Sequence, residues 1–210
     1  MGDLIFYTNP QSRGRIIRWM LEETGESYRV EVLDYATTMK APAYLAINPM
    51  GKVPAIRHGD TVVTEAAAIC VYLADAFPQA RLAPPSGDPL RGPYYRWLFF
   101  AAGPLDAAMS NKALGFTVPA EREGMVGYGR LATVLNVLES AVSKSDYLVG
   151  DSFTAADLYV GALIGFGMQF GTIEKRPAFE RYWQRLAQRP AARRAMEIDT
   201  ALAAKLQQGR

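Results

Sequence analysis

A proline-rich break divides this sequence into two halves of different character. Between Pro78 and Pro93 the chain carries five prolines and the run Ser86-Gly87-Asp88, a composition typical of a linker between domains. Before the break, short patterns typical of strands alternate with helical periodicities, whereas after it every clear pattern is helical. The length of 210 residues is compatible with two small domains. The sequence therefore predicts an α/β domain followed by an all-helical one.

The first half predicts the element order β-α-β-α-β-β-α. The last two strands flank His58-Gly59-Asp60, which is a hairpin signal because glycine suits a tight turn. Strand patterns cover residues 4–7, 28–32, 54–57 and 61–63, and helical patterns cover residues 16–25, 43–47 and 66–77. We assign residues 1–77 to this domain and residues 78–90 to the linker.

The second half, residues 91–210, predicts a helical bundle. Its helical patterns cover residues 94–114, 122–142, 154–166, 177–187 and 191–206. Gly103-Pro104 predicts a kink in the first of these helices, because proline lacks the N–H that a helix interior needs. Thr154 and Asp157 have the spacing of a capping box, with Phe153 and Leu158 placed as a hydrophobic staple. We interpret this pair as structural.

Charge and composition exclude several classes of function. The 23 basic and 21 acidic residues nearly cancel, so nothing favours nucleic acid or an anionic membrane as a partner. The densest basic cluster, Arg189, Arg193 and Arg194, is interpreted as a solvated helix end. The N-terminus lacks the pattern of a signal peptide, and no apolar run is long enough to span a bilayer. We expect a cytoplasmic protein.

Cys70 is the only cysteine and His58 the only histidine. A disulfide within the chain is therefore impossible, and no cysteine and histidine set for a metal exists, so we expect no metal site. Cys70 falls inside a predicted helix, where a small buried apolar residue is the expected role.

Three short segments carry a resemblance to a known family. They are residues 7–15, residues 40–54, and Thr64-Glu65-Ala66. In particular, Asn48-Pro49-Met50-Gly51-Lys52-Val53-Pro54-Ala55-Ile56 is followed by Glu65 at the start of a helix. In this order, and with the linker and the helical second half, the chain resembles the cytosolic glutathione transferases, most closely bacterial members with a serine-type active site.

The resemblance implies a thioredoxin-like domain that binds glutathione and a helical domain that forms the pocket for an electrophile. The implied enzyme is a detoxifying homodimer that activates the glutathione thiol for attack on hydrophobic electrophiles or peroxides. Glutathione is a co-substrate there, and no cofactor is needed. A non-catalytic binding or regulatory module with the same fold is the alternative, and Ala66 favours it because family members often carry serine at that position.

The resemblance also implies residues that bind glutathione. The Val53-Pro54 bond is expected to be cis, leaving the Val53 main chain free to pair with the cysteinyl part of the tripeptide. Glu65 and the N–H of Ala66 are expected at its γ-glutamyl end, where a helix N-terminus favours an anion. Lys40, assisted by Lys52, is expected at the glycyl carboxylate.

Two residues are candidates for the catalytic hydroxyl. The thiol must ionise, and a hydroxyl donor together with a helix N-terminus lowers its pKa. Ser12 matches the Pro-x-Ser arrangement of serine-type members, and Tyr7 is the alternative because tyrosine-type members carry a phenol at the end of this strand. Ser12 could equally cap the first helix, in competition with Asn9-Pro10, and the sequence leaves this open.

The electrophile pocket is expected to be apolar and lined by the first helical segment after the linker. Its candidate residues, each also compatible with an ordinary core position, are Tyr94, Trp97, Phe100, Met109 and Phe116.

Overall fold

The computed structural model describes residues 3–208, which divide into two compact units. The first unit comprises the chain up to Leu82 together with the segment from Arg189, and the second runs from Ala83 to Gln188. The boundary after Leu82 lies in the predicted linker. The segment from Arg189, which the sequence assigns to the helical domain, instead groups with the α/β unit.

The first unit contains a mixed sheet of strand order β2-β1-β3-β4. Its strands are β1 (Leu4–Thr8), β2 (Arg29–Val32), β3 (Ala55–His58) and β4 (Thr61–Thr64). β1 is parallel to β2 and antiparallel to β3, and β3 and β4 form an antiparallel hairpin. The helices between them are α1 (Gly14–Thr24), α2 (Pro42–Leu45) and α3 (Ala66–Ala76). The predicted order β-α-β-α-β-β-α is confirmed.

β1 is buried along its whole length, and its side chains alternate between the two faces of the sheet. Ile5 and Tyr7 belong to one apolar cluster with Met39 and Tyr44. Phe6 points the other way, where the Arg18 guanidinium lies 5.1 Å from its ring centre. A central strand that is apolar on both faces is typical of a sheet with helices on both sides.

The second unit is helical, as predicted. It contains α4 (Arg91–Phe100), α5 (Asp106–Ala113), α6 (Leu131–Val142), α7 (Ala155–Gln169) and α8 (Pro177–Ala187). A π-helical turn, Ala101–Leu105, separates α4 from α5 and contains Pro104, so the interruption expected at Gly103-Pro104 is confirmed. No helix in the described part of the chain is both long and apolar enough to cross a bilayer.

The predicted helix over residues 122–142 begins later than expected. A 3-10 turn covers Ala120–Met125, and α6 starts only at Leu131. Gly129 has φ +62°, a left-handed conformation that ends helical structure rather than continuing it. The apolar periodicity before Leu131 therefore does not reflect an α-helix.

The capping box at the start of α7 is confirmed, and its acid does more than cap. The fully buried Asp157 carboxylate accepts from the Thr154 N–H at 2.9 Å, the Leu148 N–H at 2.7 Å and the Tyr182 hydroxyl at 2.7 Å. Burial raises the pKa of Asp157, and these donors oppose that rise. Asp157 thus connects α7 to α8 and to the loop before α7.

The last helix, α9 (Pro190–Gln208), packs along α1 through charged pairs. The fully buried Arg18 on α1 donates to Asp199 at 3.0 Å, and Arg189 donates to both carboxylate oxygens of Glu23 at 2.6 and 2.8 Å. Arg194 pairs with Glu22 at 3.2 Å. Two members of the basic cluster interpreted as a solvated helix end therefore form ion pairs with α1.

We predict that Asp157→Ala lowers the free energy of unfolding by roughly 3 kcal/mol, because it leaves several buried donors without an acceptor. Thr154→Ala should cost about 1 kcal/mol, the usual loss of one cap. Urea denaturation measures both. Asp151→Ala, an exposed acid just before the helix, is the matched control and should change stability by less than about 0.5 kcal/mol. Equal losses for Asp157→Ala and Thr154→Ala would contradict the wider role of Asp157.

Candidate functional site

The register of the sheet brings the predicted site segments to one edge. β1 pairs with β2 so that Thr8 lies beside Val32, and with β3 so that Tyr7 lies opposite Ala55. Ala55 in turn lies opposite Thr64, the last residue of β4. The segments that follow β1, β2 and β4 and the segment that precedes β3 therefore meet at the same edge, and they contain Ser12, Tyr35, Glu65 and Val53.

A tight turn carries the chain from β1 to α1. The main-chain N–H of Ser12 donates to the Asn9 carbonyl at 3.1 Å, and the Gln11 N–H donates to the Asn9 side-chain oxygen at 2.9 Å. The Asn9 side-chain amide donates to the Leu33 carbonyl at 2.8 Å, which ties the turn to the segment after β2. Asn9 therefore organises this turn, while α1 begins only at Gly14.

Ser12 lies in this turn, two residues before α1. The sequence left open whether Ser12 caps this helix: its hydroxyl bonds an N–H at the helix start, but Arg13 is the residue that directly precedes the helix. The Ser12 hydroxyl donates to the Asn9 carbonyl at 2.7 Å and accepts from the Gly14 N–H at 2.9 Å. The bond from the Gly14 N–H fixes the Ser12 oxygen at the start of the helix. The Asn9 carbonyl accepts from the main-chain N–H of Ser12 as well as from its hydroxyl. The hydroxyl can therefore turn towards a ligand without leaving a buried group unpaired.

Gly14 allows α1 to start directly against the end of β1. A Cβ at this position would lie 2.0 Å from the Thr8 hydroxyl oxygen and 3.0 Å from the Ser12 hydroxyl oxygen. The Thr8 oxygen is buried and has no hydrogen-bond partner among the described residues. The close approach of Gly14 to Thr8 therefore holds the Ser12 turn against the end of β1.

A second turn of the same design precedes β3. The Gly51 N–H donates to the Asn48 carbonyl at 2.8 Å, the Met50 N–H donates to the Asn48 side-chain oxygen at 3.1 Å, and the Asn48 amide donates to the Lys52 carbonyl at 2.8 Å. The Tyr44 hydroxyl donates to the same Lys52 carbonyl. Burial raises the pKa of Tyr44 to about 12, so its phenol remains a donor.

Val53 leaves this turn with its main chain available. The Val53-Pro54 bond is cis, as expected. Val53 lies two residues before β3, and no hydrogen bond joins its main chain to another described residue. Its side chain packs against the apolar cluster of Tyr7 and Tyr44, which holds the free N–H and C=O in a defined position.

The two candidate lysines lie next to this turn. Lys40 ends the 3-10 turn Thr38–Lys40 and donates to the Gly51 carbonyl at 2.7 Å. Gly51 has φ +56°, and a Cβ there would come within 2.9 Å of the Lys40 amine. Lys40 therefore supports the turn and keeps two N–H bonds for a ligand, whereas the Lys52 side chain is exposed to solvent.

Glu65 is held in an unusual backbone conformation. Its φ of 63° is in the left-handed region, and it occupies the position immediately before α3. Non-glycine residues in such conformations cost free energy and concentrate at ligand sites. The first helical N–H that bonds back is that of Ile69, to the Glu65 carbonyl, so the N–H groups of residues 66–68 remain unpaired within the helix. The exposed Glu65 carboxylate and these N–H groups form one polar corner.

Tyr7, the alternative catalytic residue, is packed inside the first unit. Only 8% of its surface is exposed, and its ring lies 5.6 Å from that of Tyr44. Ser12 lies in a turn at the sheet edge, whereas Tyr7 belongs to the apolar cluster beneath it. This geometry favours Ser12 as the hydroxyl that meets a ligand.

The candidate electrophile-pocket residues in the helical unit differ in exposure. Tyr94, Trp97 and Met109 are buried, Phe100 is half-buried and Phe116 is exposed. The Trp97 ring stacks under the Arg96 guanidinium at 3.7 Å and lines an open groove of about 440 Å³ between α4 and α6.

Several residues at the sheet edge escaped the sequence interpretation of the site. The sequence identifies Asn48 only as part of a motif and Asn9 only as a possible helix cap, and it does not single out Tyr35 or Tyr44. The repeated Asn-Pro pair, at Asn9-Pro10 and Asn48-Pro49, was a usable signal, because asparagine followed by proline favours a turn.

Cys70 is fully buried, and burial raises the pKa of its thiol, so the expected role of a small apolar core residue is confirmed. Within residues 3–208, no group of three or more histidine, cysteine or acidic residues is arranged to hold a metal ion.

Comparisons with known proteins agree with this architecture. Residues 13–76 match the family model of the glutathione S-transferase N-terminal domain, and residues 107–190 match that of the C-terminal domain. Glutathione S-transferase F10 of Arabidopsis thaliana is 31% identical over 189 residues, covering 81% of this chain and 86% of the relative. Glutathione S-transferase 3 of Zea mays is 29% identical over 206 residues, covering 91% and 92%.

A solved structure shows the same fold. The glutathione transferase URE2P6 from Phanerochaete chrysosporium, in complex with oxidized glutathione, superposes with a TM-score of 0.80 at 28% identity, over 95% of this chain and 97% of that one. Both halves of the sequence, the sheet order and the relatives over nearly the full length lead to one conclusion: the chain belongs to the glutathione S-transferase family.

Proposed function

We propose that this protein is a glutathione S-transferase that ionises the thiol of glutathione and directs it at hydrophobic electrophiles or peroxides. The observation that carries the proposal is the meeting of Ser12, the free Val53 main chain and the Glu65 corner at one edge of the sheet. Relatives that are named as transferases favour this enzyme over the non-catalytic module. Glutathione serves as the co-substrate, and the expectation that no cofactor is needed remains a prediction.

The Val53 main chain is proposed to bind the cysteinyl part of glutathione. A free N–H and C=O on one residue pair with an extended peptide in the way that an added strand does. Asn48, Tyr44 and Lys40 hold the turn before Val53 through the Lys52 and Gly51 carbonyls. Because this turn is already ordered, glutathione loses little of its binding free energy to ordering the protein.

The ends of the tripeptide are proposed to meet charged groups. Glu65 faces the γ-glutamyl ammonium, and the free N–H groups that start at Ala66 receive the neighbouring carboxylate, as a helix N-terminus does for anions. Alanine at position 66 supplies no hydroxyl, so we expect glutathione binding weaker by about 1 kcal/mol than with serine. Lys40, with Lys52 assisting, is proposed to meet the glycyl carboxylate.

Ser12 is proposed to stabilise the thiolate. When glutathione binds, the Ser12 hydroxyl turns from the Asn9 carbonyl to the glutathione sulfur. It thereby exchanges a neutral hydrogen bond for a charge-assisted one. The N-terminus of α1, two residues away, adds a partial positive charge. The activated sulfur then attacks the electrophile, while Ser12 remains a donor and forms no covalent bond.

A homodimer and a cytoplasmic, detoxifying role are proposed on the family resemblance. Light scattering of the purified protein tests the dimer, and a monomeric mass would overturn this part of the proposal.

We predict that Ser12→Ala lowers kcat/KM for conjugation to an aromatic halide by about tenfold to a hundredfold, because a hydrogen bond to a charged group contributes about 1.5–3 kcal/mol. Tyr7→Phe should leave the rate within about threefold of wild type. Steady-state kinetics with both variants measure this. Loss of turnover in Tyr7→Phe with full activity in Ser12→Ala would reverse the assignment.

We predict that Glu65→Gln weakens glutathione binding by roughly tenfold, since it removes the charge facing the γ-glutamyl ammonium. A glutathione analogue without this amino group should bind wild type and Glu65→Gln equally. Isothermal titration calorimetry with both ligands measures the difference. A similar loss of affinity for both ligands would place Glu65 elsewhere than at the ammonium.

We predict that Asn48→Ala destabilises the protein by about 1–3 kcal/mol, because its buried amide bonds to the turn are lost. Glutathione affinity should fall with it, since the turn before Val53 is no longer ordered before binding. Thermal melting and calorimetry test the two effects, with Asn136→Ala, an exposed amide on α6, as the control. Unchanged affinity in a folded Asn48→Ala protein would show that the turn does not prepare the site.

A further inference from the structure

The segment after β2 is an ordered loop that presents Tyr35 to the sheet edge. One carboxylate oxygen of Asp34 accepts from the N–H groups of Ala36 and Thr37 at 2.9 and 3.2 Å and from the Thr37 hydroxyl at 3.1 Å. The Thr38 hydroxyl accepts from the Asp34 N–H at 2.8 Å. This network closes the loop on itself, so Tyr35 projects from a defined backbone.

The same loop is bonded to the turn that carries Ser12. The Leu33 N–H donates to the Thr8 carbonyl at 2.8 Å, and the Asn9 amide donates to the Leu33 carbonyl at 2.8 Å. The Tyr35 hydroxyl donates to the carbonyl of Gln11, the residue before Ser12, at 3.2 Å. The Tyr35 hydroxyl is therefore bonded to the turn that carries Ser12, and this turn is fixed from β1 and from β2.

The environment of Tyr35 is intermediate between core and solvent. Nearly half of the residue, 47%, is exposed, so a ligand can approach it. Burial of the other part raises the pKa of Tyr35, and the nearby Ser12 hydroxyl opposes the rise. The phenol therefore stays protonated at neutral pH and remains a hydrogen-bond donor, bonded to the residue before Ser12.

We infer that Tyr35 is a second catalytic hydroxyl, which donates a hydrogen bond to the glutathione sulfur alongside Ser12. This inference rests on the proposed function and assigns one more residue to the same site. The bond from Tyr35 to the Gln11 carbonyl is long and ends on a neutral acceptor, so an anionic sulfur near Ser12 competes for it. Two donors on one thiolate stabilise it more than Ser12 alone.

The direct test is the ionisation of bound glutathione. Thiolate absorbance in the ultraviolet, followed against pH with saturating glutathione, reports the pKa of the bound thiol. Tyr35→Phe should raise this pKa by about one unit, which means roughly tenfold less thiolate at a pH below it. Ser12→Ala should raise it as well, and the Ser12→Ala/Tyr35→Phe double variant should raise it further than either single change.

A ligand without an ionisable thiol separates catalysis from structure. S-methylglutathione should bind Tyr35→Phe as tightly as wild type, because the hydrogen bonds of Asp34 and Thr38 that order the loop are kept. The matched control is Tyr72→Phe. It removes a hydroxyl on α3 that lies 3.0 Å from a ring nitrogen of His58, and it should leave the thiol pKa unchanged.

The outcomes are distinct. A bound-thiol pKa in Tyr35→Phe equal to that of wild type, while Ser12→Ala raises it, would overturn the role of Tyr35 and keep the proposed function. Weaker binding of S-methylglutathione with an unshifted thiol pKa would also overturn it, since Tyr35 would then be structural. Wild-type protein that neither binds glutathione nor lowers its thiol pKa would overturn both proposals.

Discussion

The position of β1 between β2 and β3 is the constraint on which the rest of the site depends. Because β1 runs parallel to β2 and antiparallel to β3, the chain leaves β1 and β2, and enters β3, at the same edge of the sheet. The hairpin of β3 and β4 then returns Glu65 to that edge. Groups that are far apart in the sequence thus become neighbours through main-chain hydrogen bonds alone.

Two turns of similar design hold the chain at this edge of the sheet. Asn9 and Asn48 are buried asparagines followed by proline, and each accepts an N–H from the residue two positions ahead. Asn9 donates to the Leu33 carbonyl in the segment after β2, and Asn48 donates to the Lys52 carbonyl at the end of its own turn. Each asparagine thereby satisfies both ends of its amide away from water, where an unpaired group would be costly. One turn positions Ser12 and the other positions Val53, so the proposed hydroxyl and the proposed peptide-binding main chain are fixed by the same chemistry.

The structure also shows which departures from simple packing accompany the site. Glu65 adopts a left-handed backbone conformation, and the Thr8 hydroxyl is buried without a partner beside Gly14. Both features cost free energy. Other buried polar groups are satisfied, as the donors around Asp157 show, although one atom each of Arg18 and Asp199 also has no hydrogen-bond partner among the described residues. Of these features, the left-handed backbone of Glu65 lies where glutathione is proposed to bind, and strained residues concentrate at such sites.

The sequence determined the elements that depend on local chemistry. Alternating and helical periodicities located the four strands and most helices, and the Thr154 and Asp157 spacing located the start of α7, because these signals come from residues close in the chain. The pattern around Val53-Pro54 and Glu65 led to the family. Local reasoning went wrong where glycine interrupted an apolar pattern, as at Gly129 before α6.

Only the tertiary structure decided which of these elements meet. It placed α9 against α1 through Arg18 and Asp199, and it bonded Tyr35 to the turn that carries Ser12. It also buried Tyr7 while leaving Ser12 in a turn at the sheet edge. No local signal could reveal these outcomes, since each depends on the strand register and on hydrogen bonds between segments that are distant in the chain. Local propensity determines what each segment becomes, and pairing across the sheet determines which side chains share a site.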